Sequence, residues 1–164
     1  MSNINAFAIG AQFINPWAKV HLSWSGLINA NWKEEFRRKD IHTISGPEFS
    51  KPFERSREFG LYISSNGEVG FNVAAAVYNW GKYYEIIIRS ILEGNYDANS
   101  LAKTHSALNY YYGLKEGVID VILSGNLSYS SKKLMSILEK EIEEGRLLPF
   151  SGEIHSQTEK IRAE

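Results

Sequence analysis

None of the 164 residues is cysteine, which excludes disulfide bridges and any chemistry that needs a thiolate. Positive charge is not in excess either: 18 Lys and Arg stand against 19 Asp and Glu, a formal net charge of -1. Nucleic-acid binders draw most of their affinity from neutralised phosphates, so this balance argues against a nucleic-acid partner. The one basic cluster, Arg37–Arg38–Lys39, follows Glu34–Glu35 and precedes Asp40, as expected for a helix with its cations at the C-terminal end. No apolar run approaches the roughly 20 residues that a bilayer-spanning helix needs, and Met1–Ser2–Asn3 shows neither the basic stretch nor the cleavage site of a signal peptide. Phosphate-cradling glycine loops and the G-x-S-x-G nucleophile elbow are absent. His21, His42, His105 and His155 lie far apart and form no ligand pair. The expectation is a chain with no cofactor and no metal.

The 43% hydrophobic and 23% charged composition is that of an ordinary globular chain. Its length suits a single domain over residues 1–164, large enough to bury a core without covalent staples. The start reads as if cut from something longer, because residues 4 to 14 are helical in pattern from the outset.

Local patterns define the elements. Phe7, Ala11 and Ile14 share a helical face, and Asn15–Pro16 stops that helix. Ala18, Val20, Leu22 and Trp24 alternate with polar residues, which predicts a strand. Trp32 and Phe36, four apart, predict a short amphipathic helix, and residues 41 to 44 a short strand. Residues 59 to 63 and 68 to 77 predict two strands joined by the tight-turn pair Asn66–Gly67. Residues 82 to 93 form the clearest helix, with Tyr84, Ile87, Ile88 and Ile91 on one face and Gly94 as its stop; Tyr84 reads as core. Residues 107 to 114 and 118 to 123 suit two strands, with a helix over 116 to 123 an open alternative. Residues 131 to 144 predict a serine-capped helix ended by Gly145. This rhythm of helices and strands implies an α/β chain with a mostly parallel sheet flanked by helices.

Two segments carry the functional signal. Val77–Tyr78–Asn79–Trp80–Gly81–Lys82–Tyr83–Tyr84 and Asn109–Tyr110–Tyr111–Tyr112–Gly113 crowd seven aromatics among Asn, Gly and Lys. A core needs only aliphatic residues, so aromatics in this company at element ends point to stacking on a flat ligand. Trp80 falls where a strand gives way to a helix N-terminus, and backbone donors and the positive dipole end point into that spot. Lys82 lies in the first turn, where a cation opposes the dipole. Glu48, Glu54 and Glu58 follow a strand, where α/β sheets place their sites, and two of them would serve as acid and base in a rival enzymatic reading.

At these residues the chain resembles a known family. Ile4–Asn5–Ala6–Phe7–Ala8–Ile9–Gly10–Ala11 with Asn15–Pro16, Ser56–Arg57–Glu58–Phe59–Gly60–Leu61–Tyr62, Asn79–Trp80–Gly81–Lys82–Tyr83–Tyr84–Glu85, the stretch 108 to 122, and Gly145 with Pro149–Phe150–Ser151–Gly152 look like the C-terminal half of a basic membrane protein. Members of that family are substrate-binding proteins, nucleoside-binding lipoproteins among them, usually at the cell surface or in the periplasm. The resemblance implies a lobe of the type 1 periplasmic-binding fold that clamps a small polar ligand against a second lobe. It implies a non-catalytic role in an ABC-type uptake system with a membrane permease as partner. Nucleoside-binding members carry Asp where this chain has Tyr62. By position, Ser45, Gly46, Pro47, Tyr62, Asn79, Trp80 and Lys82 would surround the cleft. With much of one lobe missing, an exposed apolar face would favour a homo-oligomer. A ligand-sensing domain of an intracellular regulator is the rival within the same fold.

Overall fold

The computed structural model describes residues 2–47, 57–65, 68–94, 112–155 and 161–163. In chain order the elements are α1 (Ser2–Ile14), α2 (Trp32–Arg38), β1 (Thr43–Ser45), β2 (Leu61–Ser65), β3 (Glu68–Tyr78), α3 (Trp80–Leu92), β4 (Ile119–Leu123), α4 (Tyr129–Glu143), β5 (Ile154–His155) and β6 (Ile161–Ala163). Four strands form one sheet in the order β1-β2-β3-β4, and β5 and β6 make a separate two-stranded pair.

Every pairing in both sheets is antiparallel, which overturns the expected mostly parallel sheet and with it the lobe architecture inferred from the resemblance. The physical reason is connection length. Parallel neighbours need a long crossover, whereas antiparallel ones accept a hairpin. Only residues 66 and 67 separate β2 from β3, and β4 returns against β3, so α3 is not a crossover between parallel strands. The Asn66–Gly67 turn itself lies outside the described residues.

β3 organises the sheet. Its first part pairs with β2 and its last five residues with β4, and Ala74 is paired on both sides, with Leu61 and Leu123. The Ala74–Ala75–Ala76 run lets the backbone at Gly60 come unusually close. A Cβ on Gly60 would lie 2.5 Å from the Ala74 carbonyl oxygen and 2.9 Å from the Ala75 Cβ, and Gly60 has φ +59°. Val118 locks the other end, accepting the Asn79 N–H on its carbonyl (2.8 Å).

Ile44, Tyr62 and Val118 are the buried apolar side chains among the described residues. Ile44 and Tyr62 are register partners across β1 and β2. Helix boundaries follow local chemistry. Asn79 caps α3 by accepting the Lys82 N–H (3.0 Å), and Ser128 caps α4 by accepting the Ser131 N–H (3.1 Å). Gly94 and Gly145 follow these two helices at φ +74° and +70°. Burial, and then the Asp120 and Glu143 carboxylates, hold the Glu139 carboxyl on α4 above its usual value.

One further expectation changes. Residues 18 to 24 form no strand despite their alternation, and Leu22 and Trp24 stay exposed. A strand exists through a ladder, and among the described residues no strand is paired with this stretch. Of the expected strand over 118 to 123, Ile119–Leu123 is strand and not the alternative helix, whereas most of the expected strand over 107 to 114 lies outside the described residues.

Gly60→Ala should therefore lower stability by at least about 2 kcal/mol, combining left-handed backbone strain with overpacking. Urea unfolding checks this: a midpoint equal to that of the parent chain would contradict the close approach.

Candidate functional site

α2 builds one wall of the clearest cavity. Trp32 and Phe36 are four apart, so their rings meet on one face, edge to face at 5.6 Å and 72°. Glu34 and Glu35 occupy the first turn and Arg37 and Arg38 the last, matching the helix dipole. Glu34 pairs with Arg37 at 2.6 Å and Glu35 with Lys39 at 2.7 Å. The Lys39 ammonium, by hydrogen bond and by charge, holds the Glu35 carboxyl below its usual value. Asp40, at φ 56°, turns the chain out of the helix and into β1.

Between α2 and the β1–β2 hairpin lies a cavity of about 120 Å³. Trp32, Phe36, Ile41, Ile44 and Tyr62 give it apolar walls, and Lys33, Arg37, Asp40, His42, Glu58 and Ser64 supply polar groups. Tyr62, 3% exposed, is its most buried side chain. Gly46 makes room for that ring, because a Cβ there would lie 3.2 Å from Tyr62 Cε1. Burial pushes the Tyr62 phenol up to about 12, and the Glu58 carboxylate adds to the shift. Lys33 pairs with Glu58, and its ammonium lies 5.5 Å from the Trp32 ring centre, within cation–π range. His42 bridges the edge of the site: Nδ1 faces the Ser64 carbonyl at 3.2 Å and Nε2 faces Asp40 Oδ1 at 3.0 Å.

A second aromatic group lies at the junction of β3 and α3. Trp80 stacks on Tyr78 (5.5 Å, 22°) and meets Tyr83 edge-on (5.8 Å, 84°). Tyr83 also contacts Tyr84 and Tyr112 edge-on. Trp80 is 56% exposed and Tyr84 58% exposed, so the core reading of Tyr84 is corrected: the helix turns Tyr83 inward and Tyr84 outward.

The seven residues expected around one cleft fall into two groups. Ser45, Gly46 and Pro47 sit beside the Tyr62 cavity, tied to β2 by Gly46 N–H to the Gly60 carbonyl (2.8 Å) and Gly60 N–H to the Pro47 carbonyl (2.6 Å). Asn79, Trp80 and Lys82 belong to the β3–α3 junction. Trp80 stands six residues past Ala74, roughly 20 Å along a strand axis, while Tyr62 pairs with Asn72. Asn79 is occupied as a helix cap, and Lys82 pairs with Glu85 at 3.1 Å. Of the three loop carboxylates, Glu58 pairs with Lys33, and Glu48 and Glu54 lie outside the described residues. The sequence reading missed Trp32, Lys33, Phe36 and His42 as cavity residues. The four-residue spacing of Trp32 and Phe36 was the available signal, and it also fits a plain helix face.

The raised Tyr62 phenol has a consequence for stability. Its folded-state value lies above the ordinary 10, so the contribution is complete below pH 10 and is lost as pH climbs through about 12, on the order of 2 kcal/mol. Ultraviolet titration should show one late tyrosine that Tyr62→Phe removes; a titration with all tyrosines ionising together near 10 would contradict the burial.

No protein-family model matches the chain. Among curated proteins, a purine-binding protein of Brucella abortus (strain 2308) is 27% identical over 172 residues, an alignment that takes in 96% of this chain. The chain spans 46% of that protein's length.

Proposed function

We propose that this chain is a non-catalytic small-ligand-binding domain whose ligand is a flat, purine-like ring. The observation that carries this reading is the alignment of 96% of the chain with a protein named for purine binding. The chain would correspond to about half of a longer solute-binding protein, its C-terminal half, feeding an uptake system through a membrane permease.

Physical chemistry favours the Tyr62 cavity as the ligand site. An enclosed site covers most of a small ligand, whereas an open platform covers one face. Trp32, Phe36 and Tyr62 offer ring contacts, and donors and acceptors stand together at Lys33, Arg37, Glu58 and Asp40, as the edge of a heteroaromatic ring requires. A volume of about 120 Å³ is close to the roughly 150 Å³ that accommodates benzene, so one ring enters and the remainder of a fused system reaches the rim. Ser45, Gly46 and Pro47 do not line the cavity; Gly46 bears on it by leaving room for the Tyr62 ring.

The exposure of Trp80 favours a second reading, in which the ring stacks on its free face beside Asn79 and Lys82. Adenine, hypoxanthine and their nucleosides should raise thermal stability, by about 2.7 kcal/mol at 100 times the dissociation constant. Phe36→Ala should weaken binding at least about tenfold, about 1.4 kcal/mol, with Trp80→Ala near neutral. The reverse pattern moves the site to Trp80, and no response to any of these compounds refutes the proposed ligand class.

A further inference from the structure

α3 is apolar on two sides. Tyr83, Ile86 and Ile87 are half-buried, while Tyr84, Ile88, Ile91 and Leu92 are 58%, 56%, 48% and 82% exposed. A helix apolar around most of its girth is one that expects cover on both sides. Tyr84, Ile88 and Ile91 follow the i, i+4, i+7 spacing, so they form one continuous stripe.

We infer that this stripe docks a second copy of the same chain, as an antiparallel two-fold pair of α3 helices. The charges beside the stripe choose that occupant and that direction. Glu85 and Arg89 flank it in the order minus, plus, and Glu85 also holds Lys82 at 3.1 Å and Arg89 at 3.0 Å. In an antiparallel pair the same flank of each helix faces itself with the order reversed. Glu85 then meets Arg89 of the second copy and Arg89 meets Glu85, while Tyr84 packs against Ile91. A parallel pair would give up this exchange of opposite charges across the seam. Such self-complementarity is what a two-fold interface demands.

Size agrees with a weak but specific pair. Trp80 at the start of α3 and the four exposed apolar residues offer on the order of 500 Å² per copy, about 1,000 Å² in total, where specific interfaces begin. Among the described residues, the edge of the sheet at β4 is the less suitable surface. On β4 the Asp120 carboxylate accepts the Val121 N–H at 2.7 Å, one of the ways an edge strand is kept from pairing.

Sedimentation equilibrium on the purified chain tests this. The parent chain should form a dimer with a dissociation constant on the order of micromolar. Ile88→Lys should weaken it at least about tenfold with the far-ultraviolet circular dichroism unchanged. Glu85→Arg should also weaken it, by setting guanidinium against guanidinium, and adding Arg89→Glu to that variant should restore association. A parent chain monomeric at every concentration overturns the inference. So does Ile88→Lys associating like the parent, or a double variant that stays as weak as Glu85→Arg alone.

Discussion

The structure depends on the backbone ladder of β3. Three buried apolar side chains among the described residues make a sparse core, so order comes chiefly from strand pairing. One eleven-residue strand carries β2 on its first part and β4 on its last. Ala74 is where both ladders meet, and the small side chains there let Gly60 seat the start of β2. Everything that positions the cavity follows. β2 carries Tyr62, β1 is held by β2, and the chain leaving α2 enters β1 directly.

The same ladder separates the aromatics that the sequence had seemed to gather. Tyr62 leaves the sheet near the middle of β3, whereas Trp80 lies past its end. One small ligand cannot touch both. The aromatic surface is thus divided into an enclosed part, where Tyr62 is sealed and its phenol kept neutral, and an exposed part at the start of α3. Ion pairs decorate both parts without holding them. Lys82–Glu85 and Arg89–Glu85 are well exposed and Lys33–Glu58 is partly so, where such pairs contribute about 1 kcal/mol or less.

Much of the local structure was legible before folding. The helix over 2–14 stops at Asn15–Pro16, α3 and α4 end at the expected glycines, a serine caps α4, and β2, β3 and β4 lie close to where alternation and apolar runs placed them. Sheet direction was misread, although the two-residue connection at Asn66–Gly67 already demanded an antiparallel hairpin. An alternation of helices and strands fits either direction of pairing, and the loop length decides between them. Residues 18 to 24 show the opposite failure: their pattern suits a strand, but pattern supplies no partner. Tyr84 was misread because a helix with two apolar sides does not declare which one the sheet covers.

Capping side chains, turn residues and the period of the apolar positions act within a few residues of themselves, so the sequence by itself determined where the helices α1, α3 and α4 stop and roughly where β2, β3 and β4 run. It also ruled out thiol chemistry and a strongly basic surface. Which strands pair, which of two apolar helix faces is covered, and that Trp32, Phe36 and Tyr62 enclose one cavity were decided only by the tertiary structure. Those outcomes join residues far apart in the chain, and such contacts depend on which backbone groups find partners, a property no local pattern contains.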